Sequence, residues 1–213
     1  MPPRLEARGA FFCNIELVIS DPTGPVRLRA ENEEIEVVVI HPVLSKAFIM
    51  AEHPEGQLHW LGDALGTDFM VVQFLDGWMR MYRGDGRANE DWFGWGAEVL
   101  APFDGMVRFV RQPTGVNTPG NRGDGKAGSI MFEREDGVWV ILGHVMEIAV
   151  SEGEEVLAGQ VVARLGNNGT SWCPHLHVGA WKGDQPLQIR VDLAMLGRMV
   201  AVRGEGSYYG LEE

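Results

Sequence analysis

Two histidines lie two residues apart inside an apolar run, in the segment Cys173-Pro174-His175-Leu176-His177-Val178. Side chains at positions i and i+2 of a β-strand project from the same face. His175 and His177 are therefore predicted to lie side by side, with Leu176 directed toward the core. Two imidazoles on a rigid strand suit a metal site or an acid–base pair. Other residues must complete either kind of site.

Four more polar residues are candidates for that role. Asp68 precedes an apolar strand, His144 ends another, and His53 and His59 lie in the looser stretch 51–68. Taken singly, an aspartate before a strand is usually a turn residue, and a lone histidine is usually structural. Only their combination with the histidine pair indicates a site.

Composition limits the classes of function. The chain has 213 residues, of which 45% are apolar and 28 are glycine, so it is expected to be globular and rich in turns. Its net charge of −12 argues against a general binder of nucleic acids or anionic membranes, because both need a positive surface. No stretch approaches the ~20 apolar residues of a membrane span. Cys13 and Cys173 are too few for a disulfide framework.

The location of the protein follows less directly. No apolar segment of the signal-peptide type follows the N-terminus. The chain as given is expected in the cytoplasm, or in the periplasm or outside the cell if an export signal has been removed. Nothing in the sequence fixes the oligomeric state.

The strand pattern predicts an all-β protein. Residues 11–20, 25–30 and 34–41 are predicted strands in an N-terminal β-rich portion, residues 1–50, that packs on the rest. Residues 51–185 form the main β domain, and residues 186–213 form a C-terminal extension with a polar, mobile tail.

A short phrase occurs twice in the main domain. Glu-Val-Leu-Ala appears at residues 98–101 and again at 155–158, each time shortly after a glycine and before a second apolar strand. Asp104-Gly105 between apolar segments predicts a tight hairpin. We interpret the two copies as an internal repeat of hairpins. A further hairpin is predicted for 129–144, and the Gly-rich loop 111–128 either overhangs a substrate groove or is simply mobile.

Together these motifs resemble the lysostaphin/LytM-type zinc metallopeptidases, the peptidoglycan endopeptidases of duplicated hybrid motif fold. The resemblance covers about residues 59–182. Its evidence is the run from Gly153-Glu154-Glu155-Val156 to Pro174-His175-Leu176-His177, the Val-Leu-Ala-Pro-Phe-Asp-Gly phrase at 99–105, and Leu142-Gly143-His144. The fold implied is an antiparallel barrel-sandwich hybrid.

The resemblance also implies roles for particular residues. Asp68 and His177 correspond to zinc ligands, and His144 and His175 to catalytic residues. The usual position of the remaining ligand, four residues before the aspartate, is occupied by Ala64, so His59 is chosen, with His53 in reserve. Two imidazoles and a carboxylate suit Zn²⁺ with one position left for water. The family's usual S-T-G or S-T-x before the Pro-His is here Ser171-Trp172-Cys173, and Cys173 is either a buried thiol or a soft ligand or nucleophile.

The implied function is zinc-dependent hydrolysis of peptide bonds, with peptide or peptidoglycan crosslinks as substrate. A non-catalytic binding or regulatory module of the same fold is the main alternative. A sugar-phosphotransferase is disfavoured because it would need an active histidine pair without an aspartate ligand. A lipoyl-type carrier is disfavoured because no lysine follows Gln160 at the hairpin tip. A two-histidine, one-carboxylate set can also hold Fe²⁺ in oxygenases, but the surrounding motifs do not favour that.

Overall fold

A computed structural model of the chain describes residues 5–8, 16–21, 24–29, 36–54 and 56–203. Two compact units are present, residues 1–35 and residues 36–213. The smaller unit contains an antiparallel sheet in chain order, with strands β1 (Leu5–Arg8), β2 (Glu16–Asp21) and β3 (Gly24–Arg29). Two of them overlap the predicted strands at 11–20 and 25–30, although residues 11–15 lie outside the described residues.

The larger unit contains the remaining strands and a single α-helix among the residues that the structure describes. In chain order these are β4 (Val37–Ile40), β5 (Phe48–Glu52), β6 (Thr67–Val71), β7 (Gln73–Leu75), β8 (Trp78–Arg80), β9 (Glu98–Leu100), β10 (Gly105–Arg111), β11 (Ser129–Glu133), β12 (Val138–Gly143), β13 (Val145–Met146), β14 (Glu155–Val156), β15 (Val161–Leu165), β16 (Leu176–Lys182), β17 (Gln185–Pro186), β18 (Gln188–Val191) and α1 (Leu193–Arg203). Short 3₁₀ turns lie at Leu61–Asp63 and Asn89–Asp91.

The main sheet has the strand order β14-β10-β11-β12-β16-β6-β5, with β17 also paired to β16. A second sheet has the order β13-β15-β9. All pairings within these two sheets are antiparallel. The predicted all-β class is therefore confirmed, whereas closure into a barrel stays a prediction.

One core lies between the two sheets. In β16 the residues Leu176, Val178 and Ala180 are buried, and they alternate with His177 and Gly179 on the opposite face. Buried side chains of the second sheet, β13-β15-β9, including Val99 and Leu165, belong to the same hydrophobic cluster. The apolar alternation of β16 thus fixes which face carries the histidine.

The repeated phrase forms an exchanged pair of strands, not two hairpins. The first strand of each copy pairs with the second strand of the other, so that β9 pairs with β15 and β10 pairs with β14. The predicted hairpin at Asp104-Gly105 is wrong, because β9 and β10 lie in different sheets. Gly105 is needed for close packing instead, since a Cβ there would lie 2.6 Å from the carbonyl oxygen of Glu133.

The larger unit begins earlier than residue 51 and extends beyond residue 185. β4 pairs in parallel with β18, and β5 pairs with β6. Residues 36–50 and 186–203 therefore belong to the unit that carries β16, whereas the sequence assigned them to separate portions. The packing of the N-terminal portion stays a prediction, and the tail 204–213 lies outside the described residues. Within the described part of the chain, no helix has the length and hydrophobicity to cross a bilayer.

Candidate metal centre

Strand register brings Asp68 and His177 together. β6 lies antiparallel to β16, and these two residues are directly paired in the ladder. Nδ1 of His177 lies 2.9 Å from Oδ1 of Asp68. His175 stands just before β16, and its Nε2 lies 3.6 Å from the same oxygen. The prediction that the two histidines share one side of the strand agrees with this geometry.

His53 reaches the same carboxylate from the neighbouring strand. It follows β5 directly, and its backbone N–H donates to the carbonyl of Gly66 at 2.8 Å. Its Nε2 lies 3.2 Å from Oδ2 of Asp68. His53, Asp68 and His177 each offer one donor atom, and these three atoms lie within 4.8 Å of one another.

His59 lies outside this group. It is exposed in the loop that precedes the 3₁₀ turn Leu61–Asp63, and it does not share the donor cluster. The structure therefore replaces His59 with His53, the reserve choice, as the histidine beside Asp68. The reason is topological: β5 is antiparallel to β6, so the residue that follows β5 returns to the level at which β6 begins.

His144 reaches the site from β12, which pairs with β16 on the edge opposite β6. It follows β12, whose last residue, Gly143, pairs with His177. Its ring centroid lies 4.6 Å from that of His175. Nδ1 of His144 lies 2.8 Å from the carbonyl oxygen of Asn168. A carbonyl oxygen can only accept, so Nδ1 carries the proton and Nε2 keeps a free lone pair.

Asn168 holds His144 in an uncommon backbone conformation. His144 has a φ of 63°, in the left-handed region that few residues other than glycine adopt. The buried Asn168 amide donates to the carbonyls of His144 and Val145, each at 3.1 Å, and accepts from the N–H of Gly128 at 2.8 Å. Asn168 lies within the motif run from Gly153 to His177, but the sequence did not predict this role, for which its only signal was an asparagine in a Gly-Asn-Asn-Gly segment.

His175 has a similar anchor. Its Nδ1 donates to the carbonyl of Cys173 at 2.8 Å, so its Nε2 also carries a free lone pair toward the site. The buried Ser171 hydroxyl contacts the same Cys173 carbonyl at 2.8 Å and lies 3.3 Å from Nδ1 of His175. Both candidate catalytic imidazoles are therefore oriented by backbone carbonyls.

The pKa values of His144 and His175 are both lowered by their surroundings. Burial, with smaller contributions from the charges of His175 and His177, lowers the pKa of His144 to about 3. Burial also lowers the pKa of His175. Both rings are therefore neutral at neutral pH. Burial alone would raise the pKa of Asp68, but the hydrogen bond from His177 and the surrounding histidines bring that pKa well below its usual range.

The pKa of His177 is shifted in the opposite direction, upward. Burial opposes its charge, but hydrogen bonds to Asp63 and Asp68 outweigh burial and raise its pKa to about 9. The contact to Asp63 joins Nε2 to Oδ1 at 3.0 Å. Asp63 was not among the candidates taken from the sequence, because the turn that presents it has no pattern of its own.

The donor set fits zinc. Ligand bonds of about 2.0–2.2 Å in a tetrahedral site keep neighbouring donors about 3.3–3.6 Å apart. The two observed separations are somewhat shorter: 2.9 Å from Nδ1 of His177 to Oδ1 of Asp68, and 3.2 Å from Nε2 of His53 to Oδ2. Two nitrogens and one carboxylate are also the donor types of hydrolytic zinc sites with an open fourth position.

A cleft of about 420 Å³ opens beside these residues. His144 and His177 line it, together with Trp60, Arg111 and Lys126. Lys126 belongs to the loop 112–128, which hydrogen-bonds to the site through Gly128 and Asn168. This placement favours the prediction that the loop overhangs a groove. A larger concavity of about 680 Å³ lies along β10 and β14, away from the histidines.

Cys173 should behave as an unreactive thiol. Burial, together with the charge of Asp68, raises its pKa to about 11 from a usual 9.0. The thiolate fraction at pH 8 is then about 100-fold lower than for a free cysteine. In a Cys13→Ala background, we expect alkylation of Cys173 by iodoacetamide to be slower than that of glutathione by tens of fold.

The control for this prediction is the same protein unfolded in urea, in which the alkylation rate should approach that of glutathione. A Cys173→Ala variant should also keep its bound metal, because the thiol is not among the donors near Asp68. Fast alkylation of the folded protein, or loss of metal from this variant, would restore the hypothesis of a soft ligand or nucleophile.

Comparisons with known proteins agree with the motifs. The model of peptidase family M23 matches residues 91–189, which include His144, His175 and His177 but neither His53 nor Asp68. No curated protein matches the chain.

Several solved structures have a similar fold. A mutant of the catalytic domain of the prophage-encoded M23 protein EnpA from Enterococcus faecalis is 21% identical with a TM-score of 0.46, over 70% of this chain and 93% of that one. A zinc-containing peptidase from Vibrio cholerae is 19% identical with a TM-score of 0.45, over 81% and 45%. Helicobacter pylori Csd3 is 16% identical with a TM-score of 0.44, over 89% and 46%. At such values no functional conclusion follows from them. The motifs and the match over residues 91–189, just under half of the chain, make this chain similar to peptidase family M23.

Proposed function

We propose that this protein is an active zinc endopeptidase that cleaves peptide crosslinks of peptidoglycan, with His53, Asp68 and His177 as zinc ligands and His144 and His175 as catalytic residues. One observation carries the proposal. Three donor atoms of zinc-binding type lie within 4.8 Å of one another, and the imidazoles of His144 and His175 lie next to them. The peptidoglycan substrate is supported by the resemblance of the motifs to cell-wall endopeptidases.

The bound zinc would supply Lewis-acid activation of water and of the scissile carbonyl. The imidazoles supply the proton transfers. The free Nε2 of His144 or His175 accepts a proton from the attacking water as the C–O bond forms. The resulting imidazolium donates that proton to the amide nitrogen as the C–N bond breaks, so that the leaving group departs as a neutral amine. No serine, cysteine or lysine nucleophile takes part.

The cleft positions a peptide for this reaction. His144 and His177 lie in its wall, and Trp60 and Lys126 extend it beyond the histidines. Since the lining combines charged, polar and aromatic groups, it suits a peptide backbone with mixed side chains.

Metal content is the first test of this proposal. The purified protein should contain about one zinc per chain by elemental analysis, and Asp68→Ala and His177→Ala should contain none, because each variant leaves only two protein ligands. Asp184→Ala is the matched control, since this aspartate is exposed in a turn after β16. It should retain the wild-type content.

The same measurement separates the two candidate functions. A wild-type protein that stays free of metal after zinc is added would overturn the proposal of a zinc enzyme and support a non-catalytic binding module. A protein that holds zinc should next be incubated with purified peptidoglycan from several cell-wall types, with release of new amino groups as the readout.

A further inference from the structure

We infer that Asp63 is a positioning residue that fixes the imidazole of His177 for metal binding. The inference rests on the proposed zinc site and adds a residue to it. Asp63 lies outside the three-residue donor group, and the match to peptidase family M23 begins only at residue 91.

The two nitrogens of His177 face different carboxylates. Nδ1 lies 2.9 Å from Asp68 and is the nitrogen beside the other candidate ligands. Nε2 lies 3.0 Å from Oδ1 of Asp63. A histidine that binds metal through Nδ1 keeps a proton on Nε2, and this N–H needs an acceptor because the His177 side chain is only 12% exposed. Asp63 is that acceptor.

The chain brings Asp63 to His177 through a close approach of two glycines. A Cβ on Gly179 would collide with the carbonyl oxygen of Gly62, so only glycine allows the 3₁₀ turn to lie directly on β16. The rings of Trp60 and Trp181 cover Gly62 from outside, with their centroids 5.3 Å apart. Asp63 ends this turn and Gly179 lies on the same face of β16 as His177. The turn thus places the Asp63 carboxylate against the imidazole of His177.

Gly66 completes the enclosure of the ring. A Cβ at Gly66 would lie 2.8 Å from Cε1 of His177 and 3.0 Å from the carbonyl oxygen of Asp63. The N–H of Gly66 donates to that Asp63 carbonyl at 2.9 Å. The backbone between the turn and β6 is therefore folded tightly around His177, with the Asp63 carboxylate as its polar contact.

This arrangement has a direct effect on metal affinity. A carboxylate that accepts the second N–H of a ligating histidine fixes the tautomer and ring orientation and makes the ligating nitrogen a better donor. Loss of such a partner typically lowers metal affinity about 10–100-fold. The zinc affinity of Asp63→Ala should fall by this factor, and that of Asp63→Asn by less, because its amide oxygen can still accept the hydrogen bond.

The test is the zinc dissociation constant measured against a competing chelator, for the wild type, both variants and Asp63→Glu. Asp124→Asn is the matched control, because it removes an exposed carboxylate next to Gly125 of the same cleft and should stay within twofold of the wild type. Asp63→Glu keeps a carboxylate and should recover part of the affinity. In the zinc-loaded wild type, the nitrogen NMR signal of His177 should show a protonated, hydrogen-bonded Nε2 that shifts in Asp63→Asn.

The possible outcomes distinguish failure of the Asp63 inference from failure of the proposed zinc site. If Asp63→Ala binds zinc within twofold of the wild type, or if the His177 signal is unchanged in Asp63→Asn, the inference is overturned while the zinc site stands. If the wild type binds no zinc, the inference falls together with the proposed function. If Asp63→Ala does not fold, Asp63→Asn is nearly isosteric and its affinity and His177 signal decide the question.

Discussion

Replacing His144 by asparagine should abolish most of the peptidase activity while leaving zinc in place. In the proposed mechanism the free Nε2 of His144 acts as a base, and one positioned acid–base group typically contributes ~10²–10⁴ in rate. We expect kcat to fall by this factor with little change in KM, because the ring acts on the proton and not on substrate binding. Asparagine is chosen because it tolerates the left-handed backbone that His144 adopts at φ 63°.

The measurement is release of amino groups from a peptidoglycan that the wild type cleaves, together with zinc content for each variant. His175→Ala should behave in the same way, since its Nε2 also faces the site. His41→Ala is the histidine control and should keep full activity, because its Nδ1 contacts the Pro42 carbonyl and it lies outside the donor group. Full activity in both site variants would remove the imidazoles from the mechanism.

Replacing His53 by alanine should give a protein without bound zinc, whereas His59→Ala should retain about one zinc per chain. His53 supplies the nitrogen 3.2 Å from Oδ2 of Asp68, and without it only Asp68 and His177 remain as ligands. His59 is exposed and lies outside the donor group. The two variants change the same residue type in the same stretch of chain, so each controls for the other.

Elemental analysis after dialysis checks this pair, and thermal unfolding of the metal-free proteins checks that both variants fold. The reverse result, zinc kept in His53→Ala and lost in His59→Ala, would mean that the loop 53–61 rearranges when metal binds. Zinc retained in both would show that neither histidine is a ligand.

Much of the fold was accessible from local patterns. Alternation in 176–180 predicted which face of the strand carries His177, and the hairpin predicted at 129–144 is present as β11 and β12. The pairing of the repeated phrases was not accessible. Each copy has a strand, a turn and a second strand, which also describes a hairpin, and local sequence does not say that the strands exchange partners.

The sequence by itself determined the residue types at 68, 144, 175 and 177 and the family that their motifs resemble. Only the tertiary structure decided which histidine stands beside Asp68, because His53 reaches it through the pairing of β5 with β6. Only the tertiary structure also placed Asp63 against His177 and Asn168 against His144. These contacts join residues that are far apart in the chain, and their geometry depends on strand register and on the close approach of Gly62 to Gly179. The spacing of residues along the sequence specifies neither the strand register nor this close approach.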